Sequence, residues 1–305
     1  MIPRNIFFVG DTKTPFIQQD VDLLKEDYGV TVFSQIFSKN ILVSYLFACL
    51  NQWKNIRTSH VVYIWFADYP VIPFVIMAKL TRTPIIINVG GWEIYNEPSI
   101  NFGNQLNLIR GYATRWILRR ADRIVVPSHP YVRILNEIAP GVPVTVIHNW
   151  IDDELCRIPL PEKEPLAVTA CCAESAKIAK GVHIFEAVSD VPCEMKVLGG
   201  LSRKEYFATL KRAKVYCQLS LVETFGISLL EAMACGCVPV VTNCDALPYI
   251  VGGSGIVVRY GDVHTTEEAI KKALTMDGQM ARDRARFFSR DKKKKALENL
   301  LDGLK

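Results

Sequence analysis

The sequence predicts an α/β protein of two Rossmann-like, doubly wound domains, and three observations carry that expectation. Short apolar runs alternate with stretches of helical length along the whole chain. The runs are apolar at successive positions, not at every second one, as in strands buried on both faces of a parallel sheet. Finally, 305 residues are too many for one comfortable core and suit two domains of about 150.

In the first half the candidate strands are Asn5–Val9, Val30–Ile36, Val61–Phe66, Pro84–Val89, Arg123–Pro127 and Val144–His148. Phe16–Tyr28, Asn104–Arg120 and His129–Glu137 read as helices between them, with His129 at a helix start. The run Ile158–Pro165 packs three prolines and three charges into eight residues and reads as a linker. The alternation then restarts with Leu166–Cys172, Glu194–Leu198, Lys214–Leu219, Val238–Thr242 and Gly255–Val258 as strands. Two such domains in tandem are expected to face a cleft, where ligands usually sit.

Composition excludes several functions. Half the residues are apolar and 22% are charged, which rules out a disordered chain. The longest apolar stretch, 61–78, is interrupted by Asp68, Pro70 and Pro73, so no membrane span is expected. No charged-then-apolar leader opens the sequence. The nine cysteines are odd in number and lack metal or redox spacing, so buried reduced thiols are expected. Residues 282–295 hold eight basic side chains against two acidic ones, a larger excess than the +5 of the whole chain. The remainder is near neutral, which argues against a basic nucleic-acid-binding face. No strand is followed by G-x-G-x-x-G, against a dinucleotide oxidoreductase. The five histidines are scattered, and no metal site is expected.

One segment, 220–241, is the most informative. Glu231 is the only charge from Ile227 to Val241, and a carboxylate in so apolar a helix must be paired or bind something. Glu223 stands eight residues earlier. Two acids flanking a helix N-terminus can hold two hydroxyl-bearing groups, with an anion between them on the free backbone amides. The alternative is structural, with Glu231 paired to an arginine and Glu223 in solvent.

Glu223 and Glu231, with Phe225-Gly226, the run Leu230–Ala234, Gly236 and the run Pro239–Val241, resemble the E-x7-E signature of the family-four retaining glycosyltransferases. Lys180-Gly181, Gly199-Gly200, Asn149–Asp152, Gly261-Asp262 and Phe288-Ser289 resemble further turns of that family. The likeness runs from about Ala121 to Lys305; earlier residues match in pattern alone. It implies the GT-B fold, with an acceptor-side domain over 1–157, a nucleotide-sugar domain over 158–288, and a terminal helix over 289–305 crossing back to the first. It implies that Lys180 neutralises the leaving diphosphate, that Glu223 binds the donor sugar and Glu231 the ribose, and that the turn of Thr224, Phe225, Gly226 and Ile227 offers amides to phosphate. Gly199 and Gly200 would lie near the base. The donor would be a nucleotide-diphosphate sugar, carrying a hexose, with no other cofactor and no metal.

Three departures from the family pattern stand out. The run Ala170–Lys177 lacks an arginine, leaving Lys177 as the substitute. The run Ile87–Glu93 lacks a histidine, leaving Gly90, Gly91 and Glu93 as the acceptor-side group. The loop Gly10–Pro15 lacks paired glycines. A non-catalytic nucleotide-sugar-binding protein is therefore the competing function. The segment Leu108–Arg123 sets Arg115, Arg119 and Arg123 on one helical side and Ile109, Tyr112, Ala113, Trp116 and Ile117 on another. With the lysines at 292–295, this suggests a cytoplasmic protein touching the inner membrane face, with a lipid-linked or cell-surface glycan as acceptor. The plainer alternative is a surface helix packed on the sheet.

Overall fold

The computed structural model describes residues 4–34, 42–171 and 173–304. It divides into two units: residues to 147 together with those from 294 onward, and residues 148–293.

The first unit is built on a six-stranded sheet. Its strands are β1 (Asn5–Val9), β2 (Gly29–Phe33), β3 (Val61–Trp65), β4 (Ile85–Asn88), β5 (Arg123–Val126) and β6 (Val144–Val146). They run in the order β2-β1-β3-β4-β5-β6, every pairing parallel. Successive side chains alternate between two cores: Phe7, Val62, Ile64, Ile85 and Ile87 face one, and Ile6, Phe8, Tyr63, Trp65 and Ile86 face the other. Both faces are covered, which is why the strands carry no polar alternation. Leu297, Leu300 and Leu301 of the helix Arg290–Asp302 complete the second core, and Lys294 pairs with Glu26 and Asp27.

The apolar stretch 61–78 is β3, a tight turn Tyr69–Val71 whose first amide is capped by Asp68, and the helix Ile72–Thr81. No described helix is long and apolar enough to cross a membrane. The helices Leu42–Leu50 and Trp53–Thr58 have no counterpart in the sequence reading. Of the expected second strand, Gln35 and Ile36 lie outside the described residues, as does Cys172 at the end of the seventh.

The second unit carries β7 (Glu164–Ala170), β8 (Glu194–Leu198), β9 (Ala213–Gln218), β10 (Val238–Thr242) and β11 (Ile256–Val258) in the parallel order β11-β10-β9-β7-β8. The expected linker ends inside this sheet. Pro165 is the second residue of β7, and the register against β9 shifts between Glu164 and Ala167, where proline has no N–H to give. The expected boundary at 157/158 also falls inside the second unit, because Ile151, Leu155 and Cys156 pack into its core. The basic run has structural work there. Arg282 is buried and donates to the carbonyls of Leu155 and Ile158, and Arg286 donates to that of Cys156 at 3.0 Å. The eight described cysteines are all free thiols.

Candidate active site

Sheets of this order place ligands where the connections switch direction, at the carboxyl ends of the strands. In the second unit that point lies between β7 and β9, and the loops after them hold the sequence's principal candidates. After β7 the chain turns through Glu174–Ala176 to Lys180 and Gly181. Gly181 adopts φ 66°, and a Cβ there would overlap the Leu219 carbonyl, so only glycine lets the two loops meet. The Leu221 amide bonds to the Ala179 carbonyl at 2.9 Å and fixes the contact.

That contact sets Lys180 Nζ 2.5 Å from Glu223 Oε2. Glu223 is buried, not solvated, and also accepts from Gln218 Nε2 at 3.0 Å, while its amide donates to Asp245 Oδ2 at 3.0 Å. Gln218 is itself held by Tyr216 Oη and Ser220 Oγ. Burial pulls the Lys180 ammonium down, but the charge and hydrogen bond of Glu223 outweigh it and hold it above the ordinary lysine value. The Lys180 side chain keeps 35% of its exposure, so the cation reaches solvent from a buried anion.

Thr224 and Phe225 follow, and Gly226, at φ 93°, opens the helix Ile227–Ala234 with no side-chain cap on its first amides. Glu223 therefore precedes the helix and Glu231 lies in it. Glu231 is buried, and its Oε1 meets Arg203 Nη2 at 2.7 Å. Burial raises its carboxyl above the ordinary glutamate value, partly offset by Arg203 and Tyr206. The arginine pairing expected of a structural Glu231 is thus present, but Arg203 is 66% exposed and leans over the Phe207 ring at 4.5 Å. Gly199 and Gly200 form the turn after β8, just ahead of Arg203.

Lys177 is directed elsewhere: its ion pair is with Glu174, at 3.0 Å. Gly90, Gly91 and Glu93 belong to the first unit. Glu93 is buried, and its carboxylate accepts from the amides of Ala67 (3.2 Å), Gly90 (3.1 Å) and Gly91 (2.8 Å). Burial pushes that carboxyl above its usual range against the pull of those amides.

The sequence reading missed Arg203, Gln218, Asp245 and His148. His148 stacks near Phe225, ring centroids 6.0 Å apart, with Nε2 3.1 Å from Tyr249 Oη. None of these residues has a distinctive spacing; Arg203 alone carried a signal, as the nearest arginine after the glycine turn. Among the described residues, no group of three or more His, Cys, Asp or Glu side chains is placed to hold a metal ion.

Residues 190–294 match the family model described as "Glycosyl transferases group 1". The serotype-specific mannosyltransferase WbdA of Escherichia coli is 24% identical over 165 residues, 54% of this chain and 20% of that protein. An alpha-1,6-glucosyltransferase of Actinobacillus pleuropneumoniae serotype 7 is 26% identical over 152 residues, 48% of this chain and 41% of that one. The chain thus spans less than half the length of these curated relatives. In structure, a glycosyltransferase from Rickettsia africae superposes with TM-score 0.74 at 12% identity, covering 100% of this chain and 99% of that one. Anabaena Alr3699/HepE, solved with UDP and glucose, superposes at 0.73 and 14% identity, covering 98% and 99%. The fold is GT-B.

Proposed function

From a chain of GT-B fold whose residues 190–294 match the group 1 glycosyltransferases, we propose a retaining hexosyltransferase that moves a sugar from a nucleotide-diphosphate donor to a hydroxyl of a glycan. The observation that carries the reading is the pair of buried acids on either side of an uncapped helix start, each held by a cation. The relatives named for mannosyl and glucosyl transfer support a hexose and a glycan acceptor.

The diphosphate occupies the first amides of the helix at Ile227 with Lys180 against it, Glu231 binds the ribose hydroxyls, and Glu223 binds the sugar hydroxyls. As the bond from the anomeric carbon to the phosphate oxygen breaks, negative charge grows on the phosphate beside Lys180. The departing phosphate oxygen takes the proton of the acceptor hydroxyl. The new bond forms on the face that the phosphate leaves, so the anomeric configuration is kept. Lys180 supplies the positive charge, and no metal is needed. Incubation with labelled UDP-, GDP- and ADP-hexoses tests the reading, with transfer to a glycan or to water expected at the same rate with and without EDTA. Binding of a nucleotide sugar without any turnover would favour the non-catalytic alternative. Loss of turnover in EDTA would overturn the metal-free site.

The acceptor is lipid-linked, and the first unit meets a bilayer with the start of the helix Leu108–Leu118. The amphipathic side read from the sequence is divided in the structure: Ala113 and Ile117 are buried, whereas Leu108, Ile109 and Tyr112 are 86%, 82% and 67% exposed. Lys293 is buried and Lys294 is ion-paired, which removes them from any lipid-facing set. Three exposed apolar side chains on one turn support interfacial insertion. Co-sedimentation with anionic liposomes is expected to fall sharply in a Leu108→Ser/Ile109→Ser variant. Equal sedimentation of variant and wild type would assign the acceptor to solution.

A further inference from the structure

The first unit has its own switch point, between β1 and β3, and a cavity of about 360 Å³ lies there. We propose that this cavity binds one pyranose ring of the acceptor, with Asp11 and Asp68 taking its hydroxyls and the surrounding aromatic rings taking its C–H face. The proposal rests on the glycosyltransferase reading for the word acceptor, but not for the binding of a sugar ring.

Its volume is at the lower end of the range for small-molecule sites, about 300–1,000 Å³. The wall is aromatic, with Tyr45, Trp65, Phe66 and Trp92, and the polar lining is acidic. One oxygen of Asp11 accepts from the Lys13 amide at 3.1 Å, and one of Asp68 from the Tyr69 amide at 2.8 Å. These bonds fix the carboxylates, which have lone pairs left to accept hydroxyl hydrogens. A phosphate would meet two negative charges here. An alkyl chain would bury two acids without partners. A polyol ring satisfies both the acids and the apolar wall.

The wall is also held in place before any ligand arrives. Phe66 sits at φ 70°, a left-handed conformation costly for an aromatic residue. Its ring lies so close to Gly90 that a Cβ at that position would overlap it. Glu93 accepts from Ala67 on one side and from Gly90 and Gly91 on the other, tying the loop after β3 to the loop after β4. Thr114 Oγ1 donates to the Ala67 carbonyl at 2.9 Å. Trp92 is 40% exposed yet pinned, with Nε1 donating to Asn104 Oδ1 at 2.8 Å and its ring meeting Phe102 edge-on. An exposed indole held rigid is a platform with little left to lose on binding. Glu93, expected from the sequence to face the acceptor, instead acts on the wall that does.

The test is saturation-transfer NMR on the whole chain with methyl α-mannopyranoside, methyl α-glucopyranoside and 1-hexanol, no nucleotide present. Transfer to the pyranoside ring protons is expected, weakened about tenfold or more in Asp11→Asn/Asp68→Asn and in Trp92→Ala, with the thermal midpoint unchanged. Signal from hexanol alone, pyranoside signal undiminished in both folded variants, or no signal at all would overturn the proposal. Sugar binding without transfer from any nucleotide sugar would keep the pocket and remove the enzymatic reading. Transfer without sugar binding would do the reverse.

Discussion

Lys180→Ala is expected to lower turnover about a hundredfold or more, the usual effect of losing one preorganised charge aimed at a developing anion, roughly 2.7–4 kcal/mol. Its ammonium is 2.5 Å from Glu223 and partly open to solvent, so a phosphate can take over the contact without the lysine leaving its loop. The substitution also strips a buried carboxylate of its counter-charge, leaving Gln218 Nε2 as its side-chain donor. Some loss of stability is therefore expected, smaller than for a fully buried pair because Lys180 is exposed by a third. Circular dichroism separates the two effects, and Lys180→Arg should recover part of the rate. A folded Lys180→Ala protein with wild-type turnover would remove Lys180 from the reaction.

The second large effect divides the two acids. Glu231→Ala is expected to weaken binding of a bare nucleoside diphosphate by about one to two orders of magnitude, the value of hydrogen bonds to a charged group. Glu223→Ala should leave that binding unchanged or tighter, because Lys180 then meets the phosphate without a competing carboxylate. The same variant should lose use of the intact nucleotide sugar. Calorimetry with the diphosphate, followed by turnover of the donor, reads both. Equal losses of diphosphate affinity in the two variants would contradict the division.

All eleven strands were legible because a parallel strand covered on both faces writes itself as an unbroken apolar run. Their ends were less so: Pro165 looked like linker and is strand, since a prolines-and-charges pattern does not reveal that the ladder shifts to accommodate it. The helices Leu42–Leu50 and Ile72–Thr81 were hidden by runs so apolar that strand and helix periods cannot be told apart. In the site, the positions close in sequence to a glycine turn were found. Arg203, Gln218 and Asp245 were not, because each reaches its partner across a fold contact and leaves no local pattern. Glu93 was found as a residue but misread as a water-facing acid, since nothing in its neighbours announces three converging amides.

The first unit is not continuous in sequence, and this fixes an order of events during synthesis. Residues 148–293 form one uninterrupted stretch, so the second unit has all its strands as soon as that stretch has left the ribosome. The first unit, although its six strands emerge earlier, must wait. One of its two cores lacks Leu297, Leu300 and Leu301, and Glu26 and Asp27 lack Lys294, until nearly three hundred residues have been made. Until then Ile6, Phe8 and Val61 keep an uncovered apolar face, the part of the nascent chain most in need of a chaperone. The half of the protein made first is thus the half completed last.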